Sequence, residues 1–226
     1  MKETEPTHPE AHSFEVVKNI FENHFDGSFE GVKREDIPEK ALTHFEGHSS
    51  LYISPNDYKE GNFTEYYCVR RKDGLVTYIA SQIKVYKGTA MGKNVREINV
   101  YFYDMLEDEK VGHGEVRFGI DNQRDSMWKD RPFVGFNQTE GHYSEYDKET
   151  NPNKKSFTQS GFGKKRILLM GAYTKSVMGK DLYSGDTNSV SVKVWESLEK
   201  EGLAKEVKLR DDYPRRTFKL TYKQKS

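Results

Sequence analysis

The chain has 226 residues, which is long enough for one ample domain with a substantial buried core. Lys and Arg together number 36, and Asp and Glu also number 36, so no net charge attracts nucleic acid or an anionic membrane. No apolar run approaches membrane-spanning length, and the single cysteine, Cys68, cannot form an internal disulfide. The composition therefore predicts a cytoplasmic protein without a membrane segment, with aromatic residues packed on sheets.

The first twelve residues are polar and contain two prolines, which predicts a flexible tail over 1–12 ahead of a single domain over 13–226. Apolar residues then recur at three- and four-residue steps over 14–25, behind Ser13 as a helix cap. This spacing predicts an amphipathic helix that ends at Gly27. A second short helix is predicted after Asp36, because Pro38 suits a first helical turn.

From Tyr52 to about Asp121 the pattern changes to short runs of β-branched and aromatic residues, which is typical of strands. The predicted strands cover 66–71, 75–80, 83–86, 98–103 and 115–118. The sequence Lys72-Asp73-Gly74 predicts a tight turn between the first two strands. His113 lies between two glycines and is predicted to sit at a hairpin.

The segment 121–156 mixes acidic residues, aromatic residues and polar turns, and its pattern does not define element boundaries. One strand is expected here, over 133–136 or 141–146, to feed the segment that follows. A loop of this length in a compact domain commonly carries function. It contains Glu140, His142 and Glu145, which are candidates for a base that takes a proton from an amine. Solvated loop residues are the simpler interpretation of all three.

The most informative feature is the glycine-rich turn over 160–163, which leads through Lys164, Lys165 and Arg166 into an apolar helix. The first N–H groups of a helix lack intrahelical acceptors and lie at the positive end of the helix dipole, so the turn is a natural anion site. The three basic residues suit bound phosphates, although solvated charge explains them equally well. A second amphipathic helix is predicted over 190–198, shortly after Asn188.

Together the two segments resemble the cofactor half of the GCN5-related N-acetyltransferase (GNAT) superfamily, over the last third of the chain. In that family a pattern of Gln or Arg, two residues, Gly, one residue, then Gly or Ala wraps the pyrophosphate of acetyl-CoA. Gly161 and Gly163 match its small positions, whereas Thr158 stands where Gln or Arg is usual. The later family segment matches at Asn188, and Trp195 stands where the family often has a tyrosine general acid.

The resemblance implies an α/β (α+β) fold with a mixed, mostly antiparallel central sheet flanked by helices. It implies transfer of an acetyl group from acetyl-CoA, a coenzyme A thioester, to an amine acceptor that the sequence does not identify. The implied cofactor-binding residues are Gln159, Gly161, Phe162, Gly163, Lys164, Lys165 and Asn188. The catalytic candidates are Glu140, His142 or Glu145 as the base, and Tyr183 or Tyr173 to protonate the thiolate, since an indole cannot.

Two other interpretations remain open. Helices over 167–173 and 190–198, followed by strands over 207–210 and 216–221, would also make a winged helix, a module that binds nucleic acid. Its phosphate contacts would come from Arg210, Arg215, Arg216 and Lys219, but glutamates on the recognition helix would repel the DNA backbone. The third interpretation is a catalytically degenerate GNAT-like structural or interaction protein of a virus, phage or mobile element, because Trp195 replaces the tyrosine.

No metal site is predicted. His44 and His48 have a spacing that chelates metals on a helix, but Gly47 between them disfavours that helix. Cys68 lies in an alternating apolar strand and is predicted to be a core residue, not a nucleophile.

Overall fold

The structure, a computed structural model, describes residues 27–50, 58–59, 63–87, 94–119, 128, 130–141, 145–153, 155–158, 160–185, 187, 189–210 and 214–221. The tail over 1–12 and the helix predicted over 14–25 lie outside these residues.

The described elements are a large sheet, a C-terminal hairpin and the helices around them. In chain order they are β1 Gly27–Gly31, a 3-10 helix Arg34–Asp36, α1 Glu39–Ser50, β2 Tyr58–Lys59, β3 Phe63–Arg71, β4 Val76–Lys87, β5 Asn94–Leu106, β6 Glu109–Gly119, β7 Phe133–Thr139, α2 Glu145–Thr150, α3 Phe162–Met178, α4 Ser189–Lys200, β8 Ala204–Val207 and β9 Thr217–Leu220. The sheet has the antiparallel order β1-β3-β4-β5-β6-β7, and β2 pairs with β4. The predicted class, a mixed fold with a mostly antiparallel sheet flanked by helices, is confirmed.

The structure confirms one predicted turn of the sheet and corrects two other predictions. The turn before β4 contains Gly74 with φ 82°, and the Leu75 N–H donates to the Asp73 carboxylate at 3.2 Å, as expected of a tight turn. The strands predicted over 75–80 and 83–86 are one strand, since β4 pairs with β5 without a break. The β5–β6 turn lies at Glu107 and Asp108, both with positive φ, so His113 lies within β6 and the hairpin prediction for it is wrong.

The large sheet has a buried layer on each face. The α1 face holds α1 and the aromatic residues beneath it; its buried side chains are Ile37, Ala41, Phe45, Cys68, Tyr78, Ala80, Tyr101, Tyr103 and Met105. The α3 face holds α3, α4 and the C-terminal hairpin over residues such as Ile79, Val100 and Phe102. Cys68 is fully buried, and burial raises the pKa of its thiol to about 11, as expected for a core cysteine.

The C-terminal hairpin is joined to the large sheet through Tyr183. This residue bridges Phe133 of β7 in parallel and Lys219 of β9 in antiparallel. The chain therefore runs from β7 through α3 to a short parallel segment over 182–184, then through α4 into β8 and β9. Within the described ranges, no helix is both long and apolar enough to span a bilayer.

Candidate functional site

The glycine turn opens the longest described helix and stands beside the end of β7. Gly161 caps α3 in a left-handed conformation, φ 79° and ψ 0°, without a capping side chain. A Cβ on Gly163 would lie 3.1 Å from Thr139 Oγ1 and 3.5 Å from Asn137 Nδ2, so this turn of the helix lies close against β7. The Phe162 N–H approaches Ser160 Oγ at 3.4 Å. The turn has the backbone geometry of an anion site.

The two lysines after the glycine turn point sideways to neighbouring elements. Lys164 Nζ donates to Ser197 Oγ of α4 at 3.2 Å and to the Glu201 carboxylate. Lys165 Nζ lies 2.8 Å from Asp73 Oδ2 in the β3–β4 turn. Both lysines therefore hold the first turn of α3 in place, and a bound phosphate would compete with carboxylates for their charge.

Arg166, in the same basic run, points into the protein. Its Nε donates to Asp104 Oδ2 at 2.8 Å, and Nη2 lies 2.7 Å from the same oxygen. Thr77 Oγ1 donates to the other carboxylate oxygen at 2.7 Å. The side chains of Arg166 and Asp104 are 0% and 1% exposed. The expectation that Arg166 serves a phosphate is thus not met, since its charge is used by a buried carboxylate.

The Arg166 guanidinium also reaches β6 and β7, and it connects them to the glycine turn. Nη1 donates to the carbonyls of His113 and Gln138 at 3.2 and 2.9 Å, and to Asn137 Oδ1 at 2.6 Å. The Asn137 amide in turn donates from Nδ2 to the carbonyl of Gly163 at 2.9 Å. A single buried side chain therefore fixes the position of the helix start over three strands.

Two glycines of β6 make room for this helix. A Cβ on Gly112 would collide with the Arg166 guanidinium, and one on Gly114 would collide with the Met170 methyl group. The glycines that suggested a hairpin in the sequence are thus required by the close approach of α3.

The strand that borders the glycine turn is irregular. Between the pairs Glu115↔Phe136 and Val116↔Val134, β7 has one extra residue, Gly135, which is exposed. The buried Glu115 carboxylate, which accepts from Arg117 Nε at 2.8 Å, lies over this bulge. Nothing in the local sequence pattern indicated the bulge.

The parallel segment meets β7 only at its start. Val134 N–H donates to the Tyr183 carbonyl at 3.0 Å, and Tyr183 N–H donates to the Pro132 carbonyl at 2.9 Å. Beyond this bridge β7 continues to Thr139, and Gly185 of the other segment still lies against the Val134 carbonyl, where a Cβ would collide with it. Tyr183 and the glycine turn therefore lie at opposite ends of β7, about 20 Å apart at ~3.3 Å per residue.

The two remaining aromatic candidates are core residues. Trp195 is 1% exposed and stacks on Phe218, with ring centroids 6.1 Å apart. Tyr173 is buried against Tyr67 and Phe102, and burial holds the pKa of its hydroxyl well above the usual value. Neither side chain is placed to meet a ligand in solvent.

The α1 face carries a cluster of ionisable and aromatic side chains near the end of β7. Glu140 Oε1 lies 2.7 Å from Lys110 Nζ and 3.8 Å from His113 Nδ1. The His113 ring packs edge-on against the His44 ring with centroids 4.4 Å apart, and His44 also contacts Tyr103. Burial, together with the charge of Glu140, raises the pKa of the Tyr103 hydroxyl. Of this cluster, sequence reasoning named Glu140 as a candidate base.

Several of the other predicted site residues, or their side chains, lie outside what the structure describes. Gln159, His142 and Asn188 lie outside the described residues, and Glu145 begins α2 with a side chain that is not described. The Phe162 ring lies against the Phe157 ring at a tilt of 55°, with centroids 6.1 Å apart. In the part of the chain that the structure covers, no three His, Cys, Asp or Glu side chains gather closely enough to hold a metal ion.

Two of the four C-terminal cations of the winged-helix interpretation are engaged with carboxylates. Arg216 binds Glu196 of α4 and lies 2.7 Å from Glu206 Oε2 of β8, and Lys219 Nζ lies 2.6 Å from Asp181 Oδ2. Phosphate contacts by these two residues would require breaking those pairs.

Comparisons with known proteins give no further assignment: no family model, no curated protein and no solved structure matches the chain.

Proposed function

We propose that the protein transfers an acetyl group from acetyl-CoA to an amine, as the resemblance to GNAT enzymes implies. The observation that carries the proposal is the glycine turn at the end of β7, opening a helix that returns to a parallel segment beside the start of that strand. From α3 onward, the order of helix, short parallel segment, helix and strands is the one expected from the resemblance, although α2 and its flanking loops stand between β7 and the glycine turn.

The first supporting feature is the glycine turn at the start of α3. The pyrophosphate of acetyl-CoA would accept hydrogen bonds from first-turn backbone N–H groups, at the positive end of the helix dipole. A Cβ on Gly161 would meet nothing within 4 Å, whereas Gly163 lets the first turn lie close to Thr139 and Asn137 of β7. Because Lys164 and Lys165 already bind carboxylates, backbone groups would supply most of the affinity, with the lysines adding charge nearby.

The second supporting feature is that β7 is the edge strand of the large sheet. The proposal places an extended ligand along this strand beyond Val134, on the side where no described strand pairs with it. A ligand that lies along this edge from the glycine turn would bring its far end to the Gly135 bulge. There a backbone N–H would polarise the thioester carbonyl and stabilise the oxyanion of the transition state.

The chemistry then needs a base on the acceptor side of the sheet. Among the predicted bases, Glu140 is the one whose side chain the structure describes. It lies on the α1 face beside His113, at the glycine-turn end of β7 and away from the Gly135 bulge, so its position does not support the role of base in this arrangement. Tyr183 lies at the start of β7, which suits the protonation of a departing thiolate at the far end of an extended cofactor.

The winged-helix alternative is less favoured, because Arg216 and Lys219 are paired with acidic side chains. A degenerate GNAT-like binding protein differs from the enzyme in turnover, not in fold. Release of coenzyme A thiol, in the presence of a panel of primary amines, separates these two.

Calorimetric titration of acetyl-CoA into the wild-type chain and into Gly163→Val tests the proposal. We expect the wild type to bind and the variant to lose detectable binding, because the added side chain would lie between the first turn of α3 and β7, against Thr139 and Asn137, and would displace the helix start. Gly119→Val is the matched control, since a Cβ at Gly119 meets nothing within 4 Å. Melting temperatures of all three proteins distinguish lost binding from lost folding.

Absence of heat with both acetyl-CoA and coenzyme A at millimolar concentration, for a folded wild-type protein, would reject acetyl transfer. Equal binding by the wild type and Gly163→Val would show that the cofactor does not bind at the glycine turn.

A further inference from the structure

A carboxylate that the sequence did not single out lies at the bulge of β7. Glu115, in the middle of β6, has a side chain that is 3% exposed, and its Oε2 accepts a hydrogen bond from Arg117 Nε at 2.8 Å. Gly135, the extra residue of the bulge, is exposed. A Cβ on Gly135 would lie 2.8 Å from Glu115 Oε2 and 3.0 Å from Arg117 Nε. The carboxylate can therefore lie directly behind the exposed backbone of the bulge only because residue 135 has no side chain.

The bulge lies at the rim of the sheet, where the two faces meet. Glu115 stands opposite Tyr101 of the α1 layer, so its side chain belongs to the α1 face. Strand β7 is the last strand of the sheet, and on its outer side no described strand pairs with it beyond Val134. A ligand that follows this outer side from the glycine turn is bordered by both faces and reaches Gly135 without crossing the sheet. The carboxylate and the proposed position of the thioester are therefore both at Gly135.

Glu115 has one oxygen that is already engaged and one that can receive a donor. Arg117 Nε holds Oε2, and no described residue donates a hydrogen bond to Oε1. A buried carboxylate oxygen without a donor is unfavourable, and an ammonium group supplies both N–H donors and the opposite charge. Glu140 is paired with Lys110 at the other end of β7, so Glu115 is the better placed of the two carboxylates to meet an amine at the bulge.

We infer that Glu115 binds the ammonium group of the acceptor at the Gly135 bulge and takes its proton, while Arg117 is a positioning residue that holds the carboxylate. The inference rests on the proposed function, because that function places the thioester carbonyl at the bulge. It specifies the acceptor as a primary amine that arrives protonated, as alkyl amines are at neutral pH. It also assigns the role of base to a residue of β6 instead of the predicted loop residues.

The transfer balances for a protonated amine. One proton passes from nitrogen to the Glu115 carboxylate, and the nitrogen lone pair then forms a bond to the thioester carbonyl carbon. The C–S bond breaks with its electron pair on sulfur, and the nitrogen gives up a second proton as the amide forms. Of the two protons, one ends on the coenzyme A sulfur and the other leaves Glu115 for solvent, so the carboxylate is restored for the next turnover.

The ammonium site can be tested without acetyl-CoA, with methylammonium as the probe and the side-chain carboxyl ¹³C resonance of Glu115 as the readout. Glu115→Gln identifies that resonance. We expect a saturable shift with methylammonium and none with tetramethylammonium, which has the same charge but no N–H donor. Gly135→Ala should weaken binding at least about tenfold, because its Cβ would take the space between the bulge and the carboxylate. Gly119→Ala on β6 is the matched control, since a Cβ there meets nothing within 4 Å.

Proton transfer is tested by thiol release from acetyl-CoA with methylamine as the acceptor. In the wild type the amine enters as the ammonium ion and loses its proton to Glu115, so kcat/KM for total amine should change little between about pH 7 and 9. In Glu115→Gln only the free amine can react, so the rate should be at least about 10²-fold lower at neutral pH and rise about tenfold per pH unit. Glu115→Asp, which keeps a carboxylate, should keep the wild-type pH profile at a reduced rate. The KM for acetyl-CoA should be unchanged in both variants, which a general disturbance of the fold would not give.

No response of the Glu115 resonance to methylammonium, or an equal response to tetramethylammonium, would overturn the inference. So would a Glu115→Gln pH profile like that of the wild type, or a wild type that binds both acetyl-CoA and methylammonium but releases no thiol. In each case acetyl-CoA binding, measured by calorimetry, would leave the cofactor site of the proposed function standing. If acetyl-CoA does not bind, the proposed function fails, and the proton-transfer step fails with it.

Discussion

Two ion pairs lie near the end of β7, one on each face of the sheet, and their surroundings differ sharply. On the α3 face, Arg166 and Asp104 are almost completely excluded from solvent and are held by hydrogen bonds from three strands. On the α1 face, the Lys110 and Glu140 side chains are 31% and 22% exposed. The first pair is part of the core, whereas the second is in contact with solvent. The same kind of ion pair therefore contributes very differently to stability on the two faces.

The largest expected effect comes from breaking the buried pair. Arg166→Met should lower the free energy of unfolding by about 3–5 kcal/mol, because it leaves the Asp104 carboxylate buried without a countercharge. Urea denaturation measures it. The double variant Arg166→Met/Asp104→Leu should recover much of the loss, since neither charge is then buried. A loss in the double variant as large as in the single one would show that packing, not charge, holds the helix start.

Trp195→Tyr tests the α3 face in a second way. The indole is buried on Phe218, so the swap should lower the free energy of unfolding by about 1–3 kcal/mol by leaving space and burying a phenol hydroxyl. It should not increase thiol release from acetyl-CoA. Thermal unfolding and a thiol assay on both proteins check these expectations. Faster thiol release by a stable variant would instead support the assignment of residue 195 to the position of the family's tyrosine general acid.

Glu140→Gln sharpens the contrast on the α1 face. Because this pair is partly exposed, the free energy of unfolding should fall by less than about 1 kcal/mol, well below the Arg166→Met effect. Lys155→Gln serves as a control, since Lys155 pairs with Glu109 further out at the surface, with its side chain 64% exposed. A fall of several kcal/mol in the free energy of unfolding for Glu140→Gln would show that the ion pairs on the two faces contribute equally to stability.

The smallest effect is expected at the Lys165–Asp73 pair, and it should depend on pH. Burial would raise the pKa of Asp73, but the hydrogen bond from Lys165 and the charge of Arg71 outweigh it and leave the pKa below the ordinary 3.8. The unfolded chain therefore binds the proton first as pH falls, so the pair stabilises fully above about pH 5 and loses its effect through pH 3.8 and below.

Asp73→Asn should accordingly cost about 0.2–1 kcal/mol at neutral pH, and progressively less as the pH falls below 3.8. Denaturation at neutral pH and at about pH 3, at low and moderate salt, measures the difference. A cost that persists in acid would assign the effect to the hydrogen bond with the Leu75 N–H.

The strands and the C-terminal helices were predictable because their signals are local. The runs of β-branched and aromatic residues predicted parts of β3, β5 and β6, and the glycine turn predicted a helix directly after it, which begins at Phe162. Strand β1, Gly27–Gly31, has two glycines and no clear alternation, and it is a strand because it pairs with β3. That pairing joins residues far apart in the chain, which no short window of sequence reveals.

The same limit explains what was missed in the candidate site. Arg166 was grouped with two lysines by adjacency, but its partner Asp104 is 62 residues away and only the fold brings them together. His44 and His113 come from α1 and β6, and neither spacing nor neighbouring residues indicate their contact. The glycines on either side of His113 were detected, yet their meaning depends on a helix that packs across them.

The hydrogen bonds from Arg166 to three strands also constrain the order in which the protein folds. Its acceptors belong to β5, β6 and β7, so no complete set exists for the guanidinium until those three strands have paired. Burying the charge earlier would leave it without partners, at a cost of several kcal/mol. We therefore expect α3 to dock late along the folding route: Arg166→Met should accelerate unfolding far more than it slows refolding, giving a φ-value near zero.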